Sequence, residues 1–87
     1  SYALEITGDS MLPVYREGDI IILSPSAAVR KGDRVVVRLN DGQVMAKILQ
    51  RQTAKLVELA SFNPDHAVKT FDMKEVDWIA RIMWASQ

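Results

Sequence analysis

The sequence contains no cysteine and a single histidine, His66, among its 87 residues. Without cysteine the chain can form neither a disulfide nor a thiolate metal site, and one histidine is too few for a histidine-based zinc site. We therefore expect no metal and no cofactor. The lack of cysteine also fits a protein of the cytoplasm.

An excess of charge of one sign is also missing, because 11 basic residues balance 11 acidic ones. A domain that binds DNA or RNA usually carries a basic excess on one face. The densest basic group is Arg30, Lys31 and Arg34, but Asp33 lies among them, which favours a solvated loop. Any contact with DNA is therefore expected from a part of the protein outside this sequence.

Long hydrophobic runs are absent as well. The longest stretch without a charged residue is Ile20–Val29, which contains Pro25, whereas a bilayer span needs roughly 20 mostly apolar residues. No signal peptide is visible. Apolar residues make up 48% and charged residues 25%, which is typical of a globular domain. We expect one domain over residues 1–87, with one modest core and no contact with a membrane.

Short apolar runs separated by glycine, proline, asparagine and aspartate predict a mainly β fold. The predicted strands are Ile20–Leu23, Arg34–Leu39, Gln43–Leu49, Lys55–Ala60 and Val76–Trp84. Asn40–Gly42 predicts a tight hairpin, since glycine readily adopts positive φ, and Asn63–Asp65 predicts a turn. Single helical turns are expected at most, at Ser10–Glu17 and Asp72–Glu75. So many strands in so short a chain indicate a small curved sheet or a partly closed barrel.

One residue of the predicted third strand, Lys47, has unusual neighbours. Side chains alternate across a strand, so Met45, Lys47 and Leu49 share one face. The lysine therefore stands in the middle of an apolar row. Its ammonium either reaches water along its aliphatic stem, the ordinary outcome for a lone lysine, or loses its proton because desolvation lowers its pKa. The strand alone leaves both interpretations open.

The segment Gly8–Pro13 fits neither a strand nor a helix. Gly8 permits unusual backbone geometry and Pro13 fixes φ, so Ser10 is expected in a bend where its hydroxyl and nearby amides converge. A serine nucleophile needs that arrangement, because acyl transfer also requires donors for the developing oxyanion. The alternative is that Asp9 or Ser10 caps a helical turn.

A nucleophilic serine also needs a base, and a neutral amine can replace imidazole in that role. His66 follows a proline-containing turn and is expected at the surface. Lys47 is the lysine whose apolar strand setting could keep it uncharged. The other lysines flank turns or strand ends: Lys31, Lys55, Lys69 and Lys74.

The order and spacing of these motifs resemble the LexA-type peptidase family, which is related to type I signal peptidases. The matching elements are Gly8-Asp9-Ser10-Met11-x-Pro13, Glu17-Gly18-Asp19, Lys31-Gly32-Asp33, Val44–Leu49, Asn63-Pro64 and Ile79–Ile82. Lys47 follows Ser10 by 37 positions, an interval typical of the family. The resemblance extends from about Thr7 to Met83, although the family often has glycine where Ala80 stands.

The resemblance implies a Ser–Lys dyad, in which Ser10 is the nucleophile and Lys47 is the base. Backbone amides at or next to Ser10 would form the oxyanion hole, and Met11 and Pro13 would shape the wall around it. The implied substrate is the protein's own hinge upstream of the domain. In this family cleavage is provoked by a RecA filament on single-stranded DNA, and it separates a DNA-binding domain from a dimerising one.

Two features concern the longer protein and its assembly. The chain begins with Ser and reaches Ser10 after nine residues, so we expect a domain whose DNA-binding part and cleavage hinge lie upstream. Large apolar side chains crowd the last predicted strand and exceed what a small core easily buries. We therefore expect a homodimer, with Trp78, Ile82 and Trp84 at its interface.

Three other functions stay open. The chain could be a dimerisation and regulatory module of a transcriptional regulator whose dyad is unused. It could be a signal-peptidase relative, which would require a membrane anchor. A small nucleic-acid-binding barrel is disfavoured by the balanced charge. A helix-turn-helix pattern upstream would support a repressor, whereas a hydrophobic segment upstream would support the signal-peptidase relative.

Overall fold

The computed structural model describes residues 2–5, 18, 20–24 and 28–85, with side chains described for all of these except 2–5, 84 and 85. Within these ranges the chain forms seven strands and one short helical turn. They are β1 (Tyr2–Glu5), β2 (Ile20–Ser24), β3 (Arg34–Leu39), β4 (Val44–Gln52), β5 (Leu56–Ala60), β6 (Lys69–Asp72), the 3-10 turn Met73–Glu75 and β7 (Val76–Ala85).

All seven strands belong to one sheet in the order β1-β2-β7-β3-β4-β5-β6, and every neighbouring pair is antiparallel. The last strand of the chain, β7, therefore lies near the centre of the sheet, between β2 and β3. Among the described residues β1 and β6 are edges that do not pair with each other, so the sheet is open. The predicted mainly β class is confirmed, as a sheet and not as a closed barrel.

Both faces of the sheet carry buried side chains, because the central strand β3 is apolar on both sides. Val36 projects to one face, and its neighbours Val35 and Val37 project to the other. The first cluster comprises Ile21, Leu23, Val36, Ala46 and Ala80, with Phe62, Trp78 and Ile82 packed against it. The second cluster comprises Val35, Val37, Leu39, Leu49, Val57 and Leu59, with Val29, Met45, Phe71, Met73, Val76 and Ile79 packed against it.

The hairpin between β3 and β4 has the geometry that its sequence predicts. The N–H of Leu39 donates to the carbonyl of Gln43 over 2.8 Å, and the N–H of Gly42 donates to the carbonyl of Leu39 over 3.0 Å. Gly42 has a φ of 93°, a conformation that a residue with a Cβ adopts at a cost. This is a three-residue connection in which a turn ends on a left-handed residue, and it fixes the register of β4 against β3.

The predicted turn after β5 is also present. The N–H of His66 donates to the carbonyl of Asn63 over 3.1 Å, and the Asn63 side chain accepts a hydrogen bond of 2.9 Å from the N–H of Asp65. Pro64 occupies the second position, where its fixed φ suits such a turn. The turn leads the chain from β5 towards β6.

The basic residues before β3 lie in a solvated turn, as predicted. Arg30 and Lys31 are exposed, and the N–H of Asp33 donates to the carbonyl of Arg30 over 3.0 Å. The Asp33 carboxylate accepts from the N–H of Arg30 over 2.9 Å and lies 3.9 Å from the guanidinium of Arg81. In the described ranges, no helix has the length and apolar character that crossing a bilayer would need.

Candidate active site

Of the two members of the predicted dyad, Lys47 lies among the described residues and Ser10 does not. Lys47 lies in the middle of β4. Ser10, Met11 and Pro13 lie outside the described residues. The Ser–Lys pair and its oxyanion hole therefore stay predictions, and the described part of the candidate site is the surroundings of Lys47.

The sheet places Lys47 on an apolar face, as its strand pattern predicts. Lys47 lies directly opposite Val35 of β3, and Val35 is fully buried. Opposed residues of an antiparallel pair project to the same face, and so do residues two positions apart along one strand. Leu49 and Val35 belong to the second cluster, and Met45 packs against it. Lys47 itself is half-buried, so its amine is partly removed from water.

This position makes the neutral amine of Lys47 easier to form than that of an exposed lysine. Burial lowers the pKa of Lys47 below its ordinary value of 10.5, and the positive charge of Lys69 lowers it further. Desolvation acts in this direction because an ammonium loses more hydration than a neutral amine does. Both causes act in the direction that the second interpretation requires, and the role of Lys47 as a proton acceptor stays a prediction.

Lys47 opens onto a surface groove of about 310 Å³. The groove lies where the first half of β4 approaches the turn after β5 and the start of β6. It is lined by Gln43, Val44, Met45, Ala46, Lys47, His66 and Lys69. Its lining thus includes two lysines and a histidine, and no carboxylate among the described residues.

The sequence did not predict that two of these residues, His66 and Lys69, share a groove with Lys47. His66 is exposed, as predicted, but its place beside Lys47 depends on how the turn after β5 folds back. Lys69 reaches the groove through the register of β6 against β5. No pattern in the local sequence predicts that His66 or Lys69 lies in this groove. Only a correct pairing of three strands could have placed Lys69 near Lys47.

Two of the residues predicted at a dimer interface also contribute to packing within the chain. Trp78 and Ile82 are half-buried and pack against the first cluster. The backbone of Trp84 pairs with that of Ile22, and its side chain lies outside the described part. Met83, which lies between Ile82 and Trp84 in the sequence, is 53% exposed. The interface itself stays a prediction.

The described residues include no group of three or more histidine, aspartate or glutamate side chains placed to hold a metal ion. The described part of the chain forms three ion pairs, Arg38–Asp77, Arg51–Glu58 and Arg81–Asp33. Neither Lys47 nor Lys69 takes part in them.

With the fold and the surroundings of Lys47 described, the comparison with known proteins shows the family of the chain. A model of the Peptidase S24-like family matches residues 1–83, a range that contains both Ser10 and Lys47. The chain belongs to the S24-like peptidase family, and its LexA-type motifs identify the branch.

Curated relatives of the chain include several LexA repressors. The protein of Ruegeria sp. (strain TM1040) is 28% identical over 83 residues, which cover 94% of this chain and 34% of the relative. That of Granulibacter bethesdensis is 36% identical over 76 residues, 86% of this chain and 31% of the relative. That of Bordetella pertussis is 42% identical over 67 residues, 76% of this chain and 30% of the relative. The chain thus spans about a third of the length of these relatives.

Proposed function

We propose that this chain is the peptidase domain of a LexA-like transcriptional repressor that inactivates itself by cutting its own polypeptide. The observation that carries the proposal is the setting of Lys47, a half-buried lysine with a lowered pKa beside a groove. The family match and the names of the relatives support it. The substrate is a peptide bond in the hinge upstream of this domain, and a separate domain of the same protein binds DNA.

The reaction follows the chemistry of a Ser–Lys dyad. The Oγ of Ser10 adds to the scissile carbonyl while its proton moves to the Nζ of Lys47. Backbone amides near Ser10 stabilise the tetrahedral oxyanion, with Met11 and Pro13 as the adjoining wall. Lys47 then gives the proton to the leaving amine, and an ester to Ser10 forms. Water hydrolyses this ester with Lys47 again acting as base, which releases a carboxylate and restores the serine.

The first test is the pH dependence of self-cleavage in the full-length gene product. We expect cleavage to accelerate as pH rises through the pKa of Lys47 and to level off above it, with the rise centred below 10.5. Ser10→Ala should slow cleavage at least about a thousandfold, because the nucleophile is lost. Gel electrophoresis of the two fragments measures the rate.

Ser24→Ala, in β2, is the matched control and should cleave at the normal rate. Cleavage that persists in Ser10→Ala, or that does not change with pH, would contradict the assignment of the dyad. If a RecA filament on single-stranded DNA is the trigger, its addition should accelerate cleavage of the unmodified protein near neutral pH and leave Ser10→Ala intact.

The second candidate is a dimerisation and regulatory module that does not cleave. The exposed side chain of Met83, next to the half-buried Ile82 on β7, favours an apolar contact with another copy. We expect the chain to sediment as a dimer, and Met83→Glu to weaken the dimer by about tenfold or more, because a charge would enter an apolar contact.

Val68→Glu serves as the control, since Val68 is similarly exposed, at 48% against 53% for Met83, but lies before β6. Sedimentation equilibrium measures both variants. Monomeric sedimentation of the unmodified chain at high concentration would exclude the dimer, whereas a dimer disrupted only by Val68→Glu would move the interface to the β6 side of the sheet. A stable dimer that never cleaves, with or without a trigger, would favour this second candidate.

A further inference from the structure

The pairing of three strands places Lys69 on the same face of the sheet as Lys47. Leu59 of β5 lies opposite Leu49 of β4, and Lys69 of β6 lies opposite Leu59. Directly opposed residues project to one face, so these three form a row across the sheet. Lys47 precedes Leu49 by two positions and projects to that face too. Both lysines line the groove beside β4.

Lys69 is the charged side chain that shares the groove with Lys47 and acts on it electrostatically. The other charged or titratable group of the groove lining is His66, from the turn after β5. Lys69 is exposed and belongs to none of the three ion pairs of the described ranges. Within those ranges, no carboxylate of the lining offsets its charge.

On the other side of Lys47, the charges of the described side chains are balanced. Its direct neighbour across β3 is the apolar Val35. The next position in that row, on β7, is Arg81, whose guanidinium lies 3.9 Å from the carboxylate of Asp33. Along β4 the flanking residues on the same face are the apolar Met45 and Leu49. Among the described residues, the groove side therefore carries the unbalanced charge.

We propose that Lys69 is a positioning residue for the reaction proposed above: across the shared groove its ammonium opposes protonation of Lys47 and so holds the base ready to accept the proton of Ser10. Like charges near one another disfavour the charged form of each. Burial of Lys47 has the same effect and is the larger cause of its lowered pKa. The inference rests on the proposed function, because Lys69 acts only through Lys47.

The size of the effect follows from the exposure of Lys69. Water and salt screen a charge at the surface, so its influence is smaller than that of burial and falls as ionic strength rises. Burial is built into the sheet, but the contribution of Lys69 can be removed by one exposed substitution that leaves the core intact. Lys69 can therefore be tested without unfolding the domain.

The test compares the pH profile of self-cleavage in the full-length protein and three variants. Lys69→Gln should move the rise of the profile to higher pH, slow cleavage about two- to fivefold on the rising limb, and leave the alkaline plateau unchanged. Lys69→Arg keeps the charge and should keep the profile. Lys55→Gln removes the same charge from the turn at the other end of β5 and should have no effect. Added salt should move the profile of the unmodified protein towards that of Lys69→Gln.

Two outcomes would overturn the inference. One is an unchanged profile in Lys69→Gln. The other is a loss of rate by the same factor at every pH, plateau included, which would assign Lys69 to substrate contact or to folding instead. His66→Gln, measured in parallel, should not reproduce the shift, because it leaves the charge of Lys69 in place.

A second measurement decides the role of Lys69 even if no cleavage occurs. Nuclear magnetic resonance can follow the 13Cε signal of Lys47 through a pH titration of the 87-residue chain. We expect Lys69→Gln to raise the pKa of Lys47, and Lys69→Arg and Lys55→Gln to leave it in place. An identical titration in Lys69→Gln would refute the inference. Absence of cleavage in the unmodified full-length protein would instead refute the proposed function.

Discussion

Replacing Lys47 with methionine is expected to slow self-cleavage about 10²- to 10⁴-fold, the usual contribution of a general base, and to stabilise the fold at neutral pH. Methionine has a similar length and no amine, so it can fill the same place between Met45 and Leu49. It thus removes the proton acceptor and the desolvated charge together. Replacement of a merely structural residue would not both abolish cleavage and raise the stability of the fold, so this combination identifies a functional residue.

The stability of the unmodified chain should depend on pH in a matching way. The pKa of Lys47 is lowered in the fold relative to its ordinary value of 10.5. Between these two values the unfolded chain binds more protons than the folded chain, so the free energy of unfolding rises with pH across that window. Below it, Lys47 is protonated in both states and its desolvation destabilises the fold. The advantage of Lys47→Met is therefore largest at and below neutral pH and shrinks as pH rises towards 10.5.

Urea denaturation of Lys47→Met at several pH values measures this effect. Lys55→Met is the matched control: Lys55 is exposed in the turn before β5, so its replacement should change neither the stability nor the cleavage rate. A Lys47→Met protein that still cut itself would refute the role of the lysine as base. One that was less stable than the unmodified protein at neutral pH would show that the amine takes part in favourable contacts.

The strands that could be predicted are those that bury side chains in a regular pattern. The valine run of β3 is bounded by the turn residues Gly32 and Gly42, and the strand begins and ends where the pattern indicates, at Arg34 and Leu39. Alternation along β4 placed Lys47 on its face, since the period of a strand leaves only two choices. β4 continues past the predicted end to Gln52, because a bulge after Leu49 lets it stay paired with β5.

The strands that were not predicted, β1 and β6, are the two edges of the sheet. β6 has one half-buried side chain, Phe71, among exposed ones, so it lacks the alternating pattern that indicates a strand. β6 is a strand because its backbone pairs with that of β5. Backbone pairing at an edge requires no alternation of apolar and polar residues, so the sequence does not indicate it. The same pairing brings Lys69 to the groove, which is why the groove could not be predicted while the apolar setting of Lys47 could. The relation of Ser10 to Lys47 stays a prediction from motif and spacing.

Leu59→Ala is expected to lower the free energy of unfolding by about 2–5 kcal/mol. Leu59 is fully buried in the second cluster, and it joins Leu49 of β4 to Lys69 of β6 through backbone pairing on both sides. Truncation removes apolar contacts and leaves a cavity that a well-packed sheet closes only in part. A domain of this size has a total stability of about 5–15 kcal/mol, so the loss is a large fraction of it.

The consequence for Lys47 follows from the same row of residues. Leu59 lies on β5, between β4 and the edge strand β6. A cavity there loosens the packing of both strands against β5, so water reaches Lys47 more easily and its desolvation weakens. We expect the folded Leu59→Ala protein to cleave with a profile moved to higher pH, as in Lys69→Gln, but with a lower free energy of unfolding. Val68→Ala, at a position that is 48% exposed, should change stability by no more than about 0.5 kcal/mol and leave the profile unchanged.

Urea denaturation and the cleavage profile, measured on the same samples, separate the two effects. If Leu59→Ala leaves too little folded protein, Leu59→Val makes a smaller cavity, with a cost of about 1 kcal/mol, and the same shift should appear in reduced form. A destabilised variant with an unmoved profile would mean that β3 and β4 desolvate Lys47 without help from the packing of Leu59. The edge of the sheet would then matter to the proposed chemistry only through the charge on Lys69, whereas a moved profile would show that packing at the edge also tunes the base.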